Sequence, residues 1–113
     1  MLSLTSSHRY LLYGQPCDMR KSFDALSGLV RSELRGNPTS GDVFVFLNRR
    51  RNCLKLLHWE PGGFVLYYKR LEKGTFTPPV CAVESASISW PQLVLMIEGV
   101  VVYKSRQQPR FEK

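Results

Sequence analysis

Apolar and polar positions fall into distinct regimes along the chain. Near the start, Tyr10-Leu11-Leu12-Tyr13 has the composition of a short strand, closed by Gly14 and Pro16, which supply turn geometry and remove a ladder donor. From Asp18 the period changes. Met19, Phe23, Leu26, Val30 and Leu34 recur at helical spacing, and Leu29 widens the stripe. The spacing predicts a helix capped by Asp18 and ended by Gly36 and Asn37-Pro38, glycine by tolerating a left-handed turn and proline by refusing to continue. Between Gly41 and Phe76 the pattern is that of strands: Val43 to Leu47, Cys53 to Trp59 and Phe64 to Leu71, rich in β-branched and aromatic residues. Two short connections join them, Asn48-Arg49-Arg50-Arg51-Asn52 and Glu60-Pro61-Gly62-Gly63. The glycines of the second can take the positive φ that tight hairpins demand.

Pro78-Pro79 breaks the sheet pattern. A second, shorter helix is expected from Ser89 as cap through Ile97, with Pro91 in its first turn and Gly99 past its end. Val100 to Tyr103 is a candidate further strand, and 104–113 reads as a basic, mobile tail with little to bury. The fold class is therefore α+β. An antiparallel three-stranded, or slightly larger, β-meander carries one packed amphipathic helix and a short C-terminal helix, all in a single domain over 1–103. The edge strands of such a meander are free to pair between copies, which leaves the oligomeric state open.

Charge adds a partner class to this outline. Sixteen Lys plus Arg against nine Asp plus Glu leave the 113-residue chain at +7, a bias toward polyanions. The excess is concentrated over 49–73, where Arg49, Arg50, Arg51, Lys55, Lys69, Arg70 and Lys73 face only Glu60 and Glu72. Three consecutive guanidinium groups at a hairpin tip repel one another and offer planar forks of donors suited to phosphate. Strand alternation puts Lys55, Leu57 and Trp59 on one face, so a basic face ending in an aromatic is expected. Trp59 and Tyr68, and with them Phe64 and Tyr67, are candidates to stack on bases, although burial in the core is the plainer reading for each aromatic alone. Arg20-Lys21 falls in the first turn of the expected helix, where free amides and the dipole already favour an anion. A pairing of Arg20 with Asp24 is the plainer alternative.

Other chemistries find less support. Cys17, Cys53 and Cys81 are odd in number, widely spaced and without a CxxC, so neither a disulfide framework nor a zinc site is expected, and no cofactor is implied. A metal-dependent nuclease needs converging carboxylates. Asp18, Asp24, Asp42, Glu60, Glu72 and Glu98 fall on expected caps, turns and helix faces with no reason to converge. No nucleophile elbow or phosphate-cradling loop is present, so the chain is expected not to be an enzyme. It has no apolar run of the roughly 18 residues a membrane span needs, and a soluble cytoplasmic protein is expected.

The segments DMRKSFDAL from Asp18, NPTSG from Asn37, FVFLNRRRN from Phe44, KLLHW from Lys55 and GFVLYYKRLEKGTF from Gly63 carry a family pattern. In that order they strongly resemble the small accessory protein, the second open reading frame type often labelled TnpB, of the IS-sixty-six class of bacterial insertion sequences. The resemblance runs from about Tyr10 to Pro78, with a looser match at Ser89 to Gly99. It implies a non-catalytic accessory role in transposition, beside a separate and larger transposase that carries the catalytic acidic residues. Motif positions carried over are Asp18, Arg20, Lys21, Asn48, Arg49, Arg50, Lys55, Trp59, Lys69, Arg70 and Glu72. The expected partners are DNA, at the ends of the element, and the transposase. A protein-interaction subunit that docks its basic hairpin on the transposase, or a single-strand or RNA binder, remain the alternatives.

Overall fold

The computed structural model describes residues 4–79 and 85–98. The element order is β1 (Tyr10–Leu12), α1 (Phe23–Ser32), β2 (Val43–Leu47), β3 (Cys53–Glu60), β4 (Gly63–Arg70), β5 (Ala86–Ile88) and α2 (Trp90–Ile97). The expected meander is present as β2, β3 and β4, antiparallel throughout, with Val43 opposite His58 and Cys53 opposite Arg70. The sheet around it is larger and mixed: five strands in the order β4-β3-β2-β1-β5, with β1 parallel to β2. The parallel pair corrects the purely antiparallel expectation. Its cause is α1, whose crossover brings the chain back in the direction it left, as a hairpin cannot.

This topology makes β2 a central strand covered on both faces, which is why Val43–Leu47 is apolar at every position and buried throughout. On one face Leu93, Met96 and Ile97 of α2 pack over Tyr10, Leu12, Val43, Val45, Leu54 and Leu56. On the other, Leu26 and Val30 of α1 pack over Phe44, Phe46 and Leu57, joined by Cys17. Helices therefore lie on both faces of the sheet. The edge strand β4 alternates between half-buried and exposed positions.

The first helix is shorter than its periodicity predicted. Its N-cap is Ser22, not Asp18, and Ser22 makes no side-chain cap bond. The carbonyls of Met19 and Lys21 both accept from the Lys55 ammonium, at 2.7 and 2.6 Å, so this stretch is tied to β3 and cannot point its carbonyls along a helix axis. Met19 still packs against the α1-side cluster, but Phe23 is 40% exposed and leaves the expected apolar stripe. At the other end the left-handed residue is Arg35 (φ 55) and not Gly36. Gly36 is needed for space instead: a Cβ there would meet the Phe44 ring and Val30 at 3.4 Å.

The second helix follows its sequence signals. Ser89 Oγ accepts from the Gln92 amide while Gln92 returns a bond to the Ser89 amide, and Pro91 sits in the first turn. The expected strand at Val100 to Tyr103, the helix-ending Gly99, the basic tail from 104 and Cys81 lie outside the described residues.

Candidate nucleic-acid interface

The turn between β2 and β3 is short, and its own side chains build it. Asn48 Oδ1 accepts from the Cys53 amide at 3.0 Å, and Asn48 Nδ2 donates to Asn52 Oδ1 at 2.8 Å. The Arg51 amide closes the turn onto the Asn48 carbonyl at 3.0 Å, which requires Arg51 to sit at φ 59, a region a side chain rarely adopts. Two bonds from the segment after β4 hold it from below: the Leu71 amide donates to the Asn52 carbonyl and the Phe76 amide to the Arg51 carbonyl. Asn48, expected only as a motif position, is the residue that fixes the tip. Arg49, Arg50 and Arg51 are all exposed on this braced turn.

The loop after β1 runs beside the turn. Tyr13 and Cys17 donate their amides to the Val45 and Leu47 carbonyls, extending the β1–β2 pairing to the point where β2 ends. A cleft opens between loop and turn, lined by Leu12, Tyr13, Gln15, Pro78, Arg49 and Arg51. On the far side of Pro16 a second cleft is lined by Cys17, Asp18, Met19, Arg49 and Arg50. Gln15, Pro16 and Pro78 escaped the sequence reading because their relation to the arginines depends on the parallel β1–β2 pair, for which the chain has no local signal.

The other expected basic contacts divide. Lys55 is 5% exposed, its ammonium bound to the two carbonyls named above and 4.9 Å from the centre of the Tyr68 ring. It is a structural strut and is not presented to a ligand, which corrects its assignment as a phosphate contact. The alternation argument had its face right, but α1 and the segment before it cover that face. Lys69 points to the opposite side of the sheet and donates to the Ile97 carbonyl at 2.7 Å, capping the end of α2. Arg70, exposed, stands opposite Cys53 and so borders the turn. Lys73 and Glu72 are exposed just after β4.

Arg20 and Lys21 precede α1 rather than opening it, so the expected helix-terminus phosphate site is not formed by them. Arg20 pairs with Asp18 and not with Asp24: its guanidinium grips both carboxylate oxygens, at 2.6 Å for the shortest contact, and its amide bonds Asp18 Oδ1. The Arg20 guanidinium first, and its amide second, hold the Asp18 carboxyl at about 2, against an ordinary 3.8. Because the folded value is depressed, whatever stability this pair adds is present above about 3.8 and lost as pH falls through about 2. A carboxyl carbon NMR titration is expected to show a midpoint near 2 for Asp18 in the wild type and a clear rise in Arg20→Ala.

The stacking candidates also separate. Tyr68 is 52% exposed, on the α1 side of β4 and two residues from Arg70. Trp59 packs edge-on to Phe64 at 5.0 Å, about 20 Å along β3 from the arginine turn at roughly 3.3 Å per residue. Tyr67 packs into the α2-side cluster. Around Trp59 the surface differs in kind: Arg9 is bound to Asp42 at 2.7 Å, and His58 is buried against His8 with its Nδ1 3.8 Å from Glu60. Burial first, and His8 second, hold His58 neutral below the usual histidine range. Of the expected set, then, Arg49, Arg50, Arg51, Arg70 and Tyr68 share one end of the molecule, with Arg20 and Lys21 on the flanking segment.

Among the described residues no helix is long and apolar enough to cross a membrane. No solved structure matches the chain. It is similar to the uncharacterized protein y4jC of Sinorhizobium fredii, 29% identical over 96% of this chain and 93% of that one. It is also similar to the uncharacterized protein y4hO of the same organism, 35% identical over 74% of this chain and 72% of that one. The family model described as IS66 Orf2 like protein matches residues 8–107, which takes in every element from β1 to α2 together with the arginine turn. The chain therefore belongs to the IS66 Orf2-like family, proteins of IS66-class insertion sequences, and is tied to transposition of such an element.

Proposed function

We propose that this protein is a non-catalytic accessory factor of transposition that binds DNA, at the ends of the element, through the Asn48–Asn52 turn. The observation that carries the reading is the braced turn itself. Three guanidinium groups are held out into solvent on a backbone fixed by two asparagine side chains and two bonds from the segment beneath, with Arg70 alongside. Pre-ordered arginines lose less freedom on binding phosphate than a mobile tail would. Their contacts would position the protein on a backbone and would not by themselves read sequence.

The non-catalytic part of the proposal rests on how the carboxylates are spent. Asp18 is gripped by Arg20 and Asp42 by Arg9, while Asp24, Glu72 and Glu98 sit on separate elements. Catalysis would then belong to the element's separate transposase, the second proposed partner.

The test is fluorescence anisotropy of the purified chain, without transposase, on labelled duplex across a salt series. Arg49, Arg50 and Arg51 all replaced by alanine should lower the salt slope by about 2 to 3, near 0.9 per phosphate released, while the thermal midpoint stays within a degree or two. Equal binding by variant and wild type would sink the reading. Absence of wild-type binding near physiological salt would move the turn to the rival role, docking on an acidic surface of the transposase.

A further inference from the structure

The three arginines of the turn do not form one patch; the clefts beside them divide them. Arg51 lines the cleft of about 310 Å³ at the carboxyl ends of the parallel neighbours β1 and β2. Arg50 lines the cleft of about 600 Å³ beyond Pro16. Arg49 stands on the wall the two share, with Asn48 and Pro16. Read across the surface, the order is Arg51, cleft, Arg49, cleft, Arg50.

The clefts have the chemistry of nucleotide sites. No carboxylate lines the first, and the one that lines the second, Asp18, is neutralised by Arg20. Leu12, Leu47, Tyr13 and Pro78 give the first cleft apolar and flat surfaces against which a base can lie, and Met19 and Pro16 do the same in the second. A volume of about 310 Å³ sits at the bottom of the range of small-ligand pockets, enough for one nucleotide and too little for a base pair with both its backbones. Position agrees, since the carboxyl ends of parallel strands are where open sheets with helices on both faces place their ligands.

An alternation of cation, cleft, cation, cleft, cation matches the alternation of phosphate and base along one strand. We propose that the turn holds two adjacent unpaired nucleotides of a DNA strand, one in each cleft, with Arg51, Arg49 and Arg50 on the three phosphates that flank and join them. This rests on the DNA reading above and goes beyond it in the strand state of the ligand. The bound DNA would be an opened or unpaired segment, and the protein would favour opening where it sits.

The experiment is anisotropy of the wild-type chain on four labelled probes: a perfect duplex, the same duplex with a two-nucleotide bubble, that bubble with both bases removed, and an RNA version of the single strand. The bubble is expected to bind about tenfold or more tighter than the perfect duplex, and removing its two bases should return affinity to the duplex level, because a stacked base contributes between about 5- and 100-fold. Iodouracil at the two bubble positions should crosslink to Tyr13 and Met19, mapped by peptide mass spectrometry. If duplex, bubble and base-free bubble bind alike, and the triple alanine variant weakens all three, this inference is overturned while the DNA contact stands. If no probe binds, both readings fail. Tighter binding of RNA than of any DNA probe overturns the choice of DNA.

Discussion

Replacing Lys55 by alanine is expected to cost about 3 kcal/mol of stability, read as a lower urea midpoint, because a buried ammonium that satisfies two carbonyls is lost with its stem. Lys55 lies in the middle of β3, opposite Phe46 on one side and Tyr68 on the other, with its head on the carbonyls of Met19 and Lys21. Those carbonyls belong to the segment between the first cleft-lining loop and α1. Without the ammonium they must find water, and the segment has to move off the sheet to reach it. Lys55→Met fills most of the space but supplies no donor, so it should recover part of the loss and no more. Should Lys55→Ala unfold like the wild type while losing DNA affinity, the side chain would be a phosphate contact after all and the strut reading would be wrong.

Lys55 also shows where the chain was legible and where it was not. Period-two alternation placed it correctly on the face shared with Leu57 and Trp59, since that property is local to the strand. What covers the face is decided by residues more than thirty positions earlier, and a lysine in a basic stretch looks the same whether its head meets solvent or a carbonyl. The same division runs through the fold. The bounds of β2, β3, β4 and α2 follow from apolar runs, the Pro61-Gly62 turn and the Ser89 capping box, all short-range signals. The parallel β1–β2 pair and the three-residue β5 are long-range and brief, so no pattern announces them.

The arginine turn was the most legible functional feature, because three like charges between two apolar runs have few structural uses. Its partition between two clefts was not legible, since the opposing walls come from the loop after β1. The early start assigned to α1 failed for a related reason. Met19 keeps helical spacing and packs with the helix, yet the carbonyls on either side of Arg20 are claimed by β3, and a tertiary bond to a charged donor outweighs a turn of intrinsic propensity.

Phe76→Ala is expected to have the other large effect, a loss of about 3 to 4 kcal/mol together with weakened DNA binding, although Phe76 carries no charge and touches no cleft. Its ring is 1% exposed among Tyr10, Leu12, Val45, Leu54 and the α2 residues, so truncation leaves a cavity under the end of the sheet. Its amide donates to the Arg51 carbonyl at 2.6 Å, and that bond helps hold Arg51 at positive φ. With the ring gone, the segment after β4 loses its anchor and the turn loses its support from below. The two losses should therefore appear together. Phe76→Leu keeps most of the anchor and should cost under about 1.5 kcal/mol with near-normal binding. Urea unfolding and anisotropy on the same variants decide it: a Phe76→Ala protein that is destabilised but binds DNA as the wild type does, at a temperature where it is folded, would show that the asparagine bonds alone order the arginines.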